Sequence, residues 1–281
     1  MESKINRYSK QLILINSFFG LTWLIVSVFP FIWTFWGSFK VKADFFSRAD
    51  WMFAVTGVNT LIETGDTSTV KAYVESWTEG EFWKATMNTI IITVSVVTIS
   101  LFLGTLGAYA LSRSTYKYTF WILIAALIFR AMPHITLVSG YLFPFFQLNV
   151  WGILPTTIIV LVAINQPFTL WLLYSFFKTV PKELDESALI DGCSYFQAFR
   201  FVIMPVMWPG VVTAGLFSMM LAYNDFTVTS LLLNQQNYTM VPKINAYLGT
   251  IEHSGNYMWA VSSVVSATAP LFMICLLYTS D

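Results

Sequence analysis

Long apolar blocks alternate with short polar segments along this chain. Residues 12–36 and 88–111 carry no charged side chain, and residues 131–177 contain no Asp, Glu, Lys or Arg. A helix rises about 1.5 Å per residue, so about 20 residues cross a hydrocarbon core of about 30 Å. The pattern therefore predicts an all-α, polytopic membrane protein with a single transmembrane domain over residues 1–281.

Proline and glycine interrupt the charge-free run of residues 131–177, which is too long for one span. Among the interrupting residues are Pro133, Gly140, Pro144, Gly152 and Pro155. Because they break helices, we expect a re-entrant or interfacial connector between Gly140 and Gly152. Six transmembrane helices are predicted, at about residues 12–36, 88–111, 118–140, 154–177, 206–230 and 259–278.

The distribution of charge predicts the orientation of these spans. Six spans place both termini on one side, together with the loops at residues 113–117 and 178–200, and basic residues occur in the amino-terminal segment and in both loops. The positive-inside rule identifies that side as the cytoplasm. The long segment 41–87 has an acidic bias and is expected outside the membrane.

Composition agrees with a lipid-solvated protein. Hydrophobic residues make up 56% of the chain and charged residues only 11%, against about 25% charged in soluble domains. The net charge is zero, so the overall charge gives no indication of a nucleic-acid partner. Cys193 and Cys275 lie outside any metal-ligand spacing, so we expect no metal site.

The predicted cytoplasmic loop 180–205 has signals for two short helices joined by a glycine. Acidic residues follow Pro181, where carboxylates suit the positive end of a helix dipole. Gly192 is expected to end the first helix in the left-handed conformation. Ser194 with Gln197 forms a capping-box pattern for the second helix, and Pro205 marks the entry into span five.

Two interpretations of this loop follow from the residues alone. A plain connector needs about two to eight residues, so a longer loop with its own caps suits an element that docks a cytosolic partner. The alternative is an amphipathic helix pair that lies on the membrane surface.

The same loop resembles the EAA motif of binding-protein-dependent ABC importer permeases. The matching residues are Glu186-Ser187-Ala188, then Asp191-Gly192, then Val202-Ile203-Met204-Pro205. Ser187 replaces an alanine of the motif, and Val202 and Met204 replace other apolar residues. The glycine, the spacing and the proline match.

Further segments resemble the carbohydrate-type, MalG-like branch of the MetI-like, type I importer family. They include residues 107–113 at the end of span two and Tyr223-Asn224-Asp225-Phe226 in span five. The resemblance implies a type I ABC importer permease fold in the plasma (inner) membrane of a bacterium or archaeon. Oligosaccharide, monosaccharide, polyol and glycerophosphate importers share this pattern.

The resemblance also implies a coupling mechanism. The loop would act as a coupling helix on a separate ATPase, whose subunits bind ATP and Mg, and an extracytoplasmic solute-binding protein would deliver the solute to a pair of permeases. Glu186, Ser187, Ala188, Asp191, Gly192 and Pro205 are the coupling residues that the motif implies. The chain contains no P-loop fingerprint, so we expect a non-catalytic subunit without a cofactor of its own.

Polar residues within predicted spans are candidates for a substrate pathway, because such residues are costly in lipid. These are Asn165, Tyr223, Asn224 and Asp225, with Arg130 as a further intramembrane charge. The alternative for each is a structural contact between spans, or a boundary charge that reaches water.

Other functions remain as alternatives. These are an ion-coupled secondary transporter, a permease for a non-sugar solute such as glycerophosphate or a polyamine, and a membrane enzyme. A carrier usually has more spans and internal repeats, and an enzyme needs clustered catalytic groups; the sequence shows neither. The chain ends at Asp281 without the short basic tail that the resemblance implies, and the sequence leaves open whether this end is native or truncated.

Overall fold

The computed structural model describes residues 2–38, 68–249 and 257–279, and every regular element within them is helical. Most of the predicted external segment 41–87 lies outside the described residues. The helices are α1 (Glu2–Gly37), α2 (Ser68–Thr78), α3 (Phe82–Arg113), α4 (Thr119–Ala131), α5 (His134–Gln147), α6 (Leu154–Thr179), α7 (Glu183–Ile190), α8 (Tyr195–Ala198), α9 (Met204–Tyr223), α10 (Thr227–Leu232), α11 (Met240–Leu248) and α12 (Tyr257–Thr279). A π-helical turn, Phe199–Ile203, connects α8 to α9.

Four helical stretches in the described residues are long and apolar enough to cross a membrane. They are the apolar part of α1 from Leu12, then α3, α6, and the continuous run Tyr195–Tyr223 that ends with α9. The bent pair α4 and α5 adds a fifth if it forms one span. A shorter apolar stretch, Trp259–Leu271, lies within α12, and the count of six spans stays a prediction.

The break between α4 and α5 differs in position from the predicted connector. The two helices meet at an angle of 84°, with Met132 extended and Pro133 directly before α5. A residue before proline avoids the helical conformation and proline has no N–H to donate, so α4 ends here. α5 then continues through Gly140, and the connector comes later, at residues 148–153.

The larger compact unit, Trp83–Lys243, contains the candidate site. Its α6 and α9 pack closely: a Cβ added to Gly210 would lie only 2.8 Å from a ring carbon of Phe176. One of its apolar cores joins the ends of α3 and α6 to the π turn and α9, and includes Ala108, Leu173, Phe177, Phe199 and Ile203. This core anchors the elements that border the loop 180–205.

The second unit, Met1–Phe82 with Ile244–Asp281, has its own contacts. The Tyr247 hydroxyl donates to the carbonyl of Gly80 at 2.7 Å, and Trp259 Nε1 donates to the Glu75 carboxylate at 3.1 Å. Gly80 has no room for a side chain, because a Cβ there would lie 2.6 Å from the Ser76 carbonyl oxygen. Burial, and then the charge of Glu81, raise the pKa of Tyr247, so its hydroxyl remains a donor.

Candidate functional site

A Schellman motif with Gly192 as its left-handed residue follows Ile190, the last residue of helix α7. The Gly192 N–H donates to the carbonyl of Leu189 at 3.1 Å, and the Cys193 N–H donates to that of Ala188 at 3.0 Å. Gly192 has φ of +87°, the left-handed conformation expected from the sequence. A Cβ added to Gly192 would meet nothing within 4 Å. Glycine is therefore favoured here by the backbone conformation and not by a lack of space.

The predicted capping box of α8 is present. The Gln197 N–H donates to Ser194 Oγ at 3.3 Å, and the Ser194 N–H donates to Gln197 Oε1 at 2.8 Å. The π turn follows, with the Met204 N–H donating to the Phe199 carbonyl. Pro205 lies in the first turn of α9. Two short helices at a fixed corner result, and we call residues 183–198 the α7–α8 corner.

Acidic and apolar side chains share the outward side of the α7–α8 corner. Glu186, Ser187 and Asp191 are exposed, and within the described residues the Glu186 carboxylate has no hydrogen-bond or ion-pair partner. Ile190 is 85% exposed, and Tyr195 and Phe196 are exposed as well. This surface combines a backbone held by the hydrogen bonds of the two caps with exposed side chains.

Ala188 lies on the opposite side of α7 from this surface. It is buried within the chain itself, so its small side chain allows α7 to pack closely on this protein and does not face an external partner. Phe199 and Ile203 are also buried, whereas the Phe196 side chain is exposed.

Asp185 ties the inward side of α7 to the end of α3. Its carboxylate forms an ion pair with Arg113 at 2.8 Å, and both side chains are mostly buried, at 14% and 16% exposure. The Tyr109 hydroxyl donates to Asp185 Oδ1 at 2.5 Å. Sequence reasoning gave Asp185 only a helix-dipole role and did not select Arg113 or Tyr109 as site residues.

Arg113 also holds the end of α6. Its Nη1 donates to the carbonyls of Phe177, at 3.3 Å, and Val180, at 3.0 Å. A cation suits carbonyls at a helix C-terminus, where the dipole is negative. One guanidinium therefore joins α3, the end of α6 and α7.

The polar candidates of span five bond within their own segment. Asp225 lies after the end of α9, and its carboxylate accepts the Thr229 N–H at 2.9 Å, in the first turn of α10. The Asn224 side chain donates to the Met220 carbonyl at 3.0 Å, and the Tyr223 hydroxyl contacts the sulfur of Met240 at 3.9 Å. Hydrogen bonds of the chain itself thus account for Asn224 and Asp225.

Asn165 and Arg130 lie elsewhere in the same unit. Asn165 is buried in α6, and its Nδ2 has no hydrogen-bond partner within the described residues. The Arg130 guanidinium lies over the Phe168 ring at 4.9 Å. It lines an apolar cavity of about 630 Å³ between α4, α5 and α6, together with Gln166 and Tyr141.

The structure does not gather these candidates into a reactive centre. Within the described residues, no group of three or more His, Cys, Asp or Glu side chains is placed to hold a metal ion. The loop residues that match the motif lie together at the α7–α8 corner, with Pro205 beyond the π turn. The residues of the corner therefore form an exposed surface that a partner could contact.

Comparison with known proteins identifies the family. The model of the family described as binding-protein-dependent transport system inner membrane component matches residues 90–280. The trehalose/maltose transport system permease protein MalG of Thermococcus litoralis is 30% identical over 259 residues, covering 90% of this chain and 87% of that protein. The diacetylchitobiose uptake system permease protein NgcG of Streptomyces coelicolor is 26% identical over 266 residues, covering 90% and 80%.

The fold has a counterpart in a solved structure. A chain in the crystal structure of a bacterial ABC transporter involved in the import of the acidic polysaccharide alginate matches with a TM-score of 0.77 at 18% identity, covering 98% of this chain and 97% of that one. The predicted all-helical permease fold is confirmed. The chain belongs to the family of binding-protein-dependent transport system inner membrane components, as the motif in its loop predicted.

Proposed function

We propose that this chain is a permease subunit that forms, with a second permease, the translocation pathway of an ATP-driven sugar importer. The α7–α8 corner is the docking element for a separate ATPase. The exposed acidic and apolar surface of that corner carries the proposal, because its capped helices lie outside the spans and present exposed side chains, among them Glu186 and Ile190. The relatives named for diacetylchitobiose and for trehalose and maltose support a sugar as the solute.

The chemistry of the corner favours protein docking over the membrane surface. A helix that lies on lipid usually has Lys and Arg on its polar face, and the cytoplasmic leaflet is negatively charged. The polar residues exposed on α7 and its end include Glu183, Glu186 and Asp191. Repulsion of these carboxylates from anionic lipid disfavours the interfacial alternative, whereas an apolar groove with a basic rim would accept them.

Basic residues gather at the same end of the molecule as the corner. Arg113 ends α3 and contacts the end of α6, where Lys178 lies in the last turn, and Lys182 directly precedes α7. By the positive-inside rule this end is cytoplasmic, which is where an ATPase is found. The amino terminus is then cytoplasmic too, if six spans are present.

The proposed complex contains a second permease, identical or different, two ATPase subunits and an extracytoplasmic solute-binding protein, all in the plasma membrane or against it. ATP and Mg bind to the ATPase subunits, and this chain needs no cofactor. Within this chain Asn165 is the retained candidate for the solute pathway. Its Nδ2 has no hydrogen-bond partner in the described part of the chain, whereas Asn224 and Asp225 bond locally.

Affinity purification and uptake test the proposal together. A tagged chain, expressed with its neighbouring transport genes, is expected to bring down a P-loop ATPase and a second permease. Proteoliposomes of that complex, supplied with the binding protein and internal ATP, are expected to take up radiolabelled maltose, trehalose or diacetylchitobiose. Uptake by the chain alone, driven by a proton or sodium gradient without ATP, would instead establish a secondary transporter.

A further inference from the structure

Two kinds of connection join the α7–α8 corner to the spans. The peptide chain links α7 to α6 through residues 180–182, and links α8 to α9 through the π turn. The link to α3 is made by side chains, because α3 lies far away in the sequence. Tyr109 and Arg113 of α3 both contact Asp185 of α7.

The side-chain link has the properties of a firm mechanical contact. The Arg113–Asp185 ion pair, at 2.8 Å, is mostly shielded from water, so salt screens it less than it screens a surface pair. Nη2 of Arg113 and Oδ2 of Asp185 form a close ion pair without a regular hydrogen bond, while Nη1 of Arg113 donates to two carbonyls at the end of α6. Movement of Asp185 away from α3 would break the ion pair with Arg113 and the hydrogen bond from Tyr109.

The outward side of α7 is exposed and available to a partner. Glu186, one residue after Asp185, is exposed together with Ile190. Consecutive residues of a helix point about 100° apart, so one short helix can bind outward through Glu186 and inward through Asp185. A force applied to the outer side of α7 therefore reaches α3 through the Asp185 carboxylate.

We propose that Asp185, Arg113 and Tyr109 form a transmission link that makes α3 follow the movement of α7 when the ATPase changes conformation. The three are positioning residues: they act on transport through α3 and touch neither ATP nor solute. This inference rests on the proposed docking of an ATPase at the α7–α8 corner. It adds that α3, which is not adjacent to the corner in sequence, receives the motion directly.

The test measures sugar uptake per ATP hydrolysed in proteoliposomes of the whole complex, for Arg113→Gln, Asp185→Asn and the double variant. The probes are radiolabelled maltose, trehalose and diacetylchitobiose. We expect uptake per ATP to fall about tenfold, within the range typical of a coupling contact between sites. Because the pair acts as one contact, the double variant is expected to be no worse than either single variant. The amount of co-purified ATPase is expected to stay the same.

Two further variants separate transmission from plain stability. Asp185→Glu keeps the charge and is expected to recover most of the uptake per ATP, and Tyr109→Phe, which removes one hydrogen bond, is expected to lower it less than Asp185→Asn. Lys117→Gln is the matched control for Arg113→Gln. It removes a cation just beyond α3 whose contact is with the Tyr118 ring, and it is expected to behave as wild type.

Unchanged uptake per ATP in an intact Asp185→Asn complex would overturn the inference. So would a parallel loss of uptake, ATP hydrolysis and complex, because that pattern means the contact only stabilises the fold. If Arg113→Gln does not reach the membrane, the other variants test the inference. Asp185→Glu and Tyr109→Phe are then expected to show higher uptake per ATP than Asp185→Asn, and the opposite order would contradict the transmission link. A wild-type chain that brings down no ATPase would instead remove the proposed function itself.

Discussion

The α7–α8 corner and the segment 223–229 both carry the polar residues that the sequence selected, yet they use them differently. At the corner, Glu186 and Asp191 are exposed on the surface of a capped structure. In the segment 223–229, the carboxylate of Asp225 and the amide of Asn224 are bonded to the backbone of the same segment. Polar side chains without internal partners are available to an external one, and those already bonded mainly hold the chain in shape.

The largest expected effect on transport tests the shape of the corner. Gly192→Val places a β-branched residue at φ of +87°, a conformation that costs about 1–3 kcal/mol for a residue other than glycine. We expect ATP-dependent uptake to fall by about 5-fold to 150-fold, since about 1.4 kcal/mol corresponds to a factor of ten. Uptake in proteoliposomes and the amount of membrane-inserted protein are measured together.

Gly192→Asn is the control for that variant, because asparagine tolerates the left-handed conformation. It is expected to keep most of the uptake, since the space around Gly192 is open. If Gly192→Val assembled with its ATPase and transported normally, the corner would not be the coupling element.

A second prediction compares the outward and inward sides through two phenylalanines. Phe199 is 9% exposed and its ring lies 4.9 Å from that of Tyr109, whereas Phe196 is 63% exposed. Phe199→Ser is expected to destabilise the protein by about 3–5 kcal/mol. Phe196→Ser is expected to leave stability within about 0.5 kcal/mol and to lower ATPase co-purification several-fold. Thermal unfolding in detergent measures the stability of both variants, and pull-down measures the co-purified ATPase. If both variants gave the same result, the inward and outward sides of the corner would not differ in function.

A third prediction examines Asp225 in the segment 223–229. Asp225→Ala removes the acceptor for the Thr229 N–H and is expected to cost about 1 kcal/mol, as for the loss of a helix cap. Asp225→Asn keeps an acceptor oxygen and is expected to restore stability and uptake. If both variants lost uptake at normal stability, the charge of Asp225 would serve the solute and the segment would resemble the corner after all.

The smallest expected effect belongs to Asn224. Its side chain returns to the Met220 carbonyl one turn earlier in α9, so Asn224→Ala removes a single local bond. We expect a change in stability within about 0.5 kcal/mol and unchanged uptake. A marked loss of uptake with normal stability would place Asn224 in the solute pathway.

Local signals explain why much of the corner was predictable. The left-handed turn at Gly192 and the Ser194–Gln197 capping box depend on neighbours within a few residues, so spacing alone indicates them. The family motif also spans only one loop. The apolar runs similarly predicted long helices, because span length follows from bilayer thickness.

The remaining features depend on contacts that spacing does not encode. The Arg113–Asp185 pair joins two elements that are distant along the chain, and each residue has an ordinary local explanation: a basic helix end for one and a helix dipole for the other. The break at Pro133 was one of several possible breaks in a run without charges. The helix α5 accommodates Gly140 and Pro144, so the presence of a helix-breaking residue type alone does not indicate which position forms the break.

The π turn Phe199–Ile203 sets the rotational phase of α8 relative to α9. An α-helix advances about 100° per residue, and a π turn contains an additional residue compared with an α-helical turn. Deleting one residue within 199–203 is therefore expected to rotate Tyr195 and Phe196 by about that angle while retaining both side chains. The number of residues between Gly192 and Pro205 would thus determine the direction in which the corner points, independently of the residues it presents.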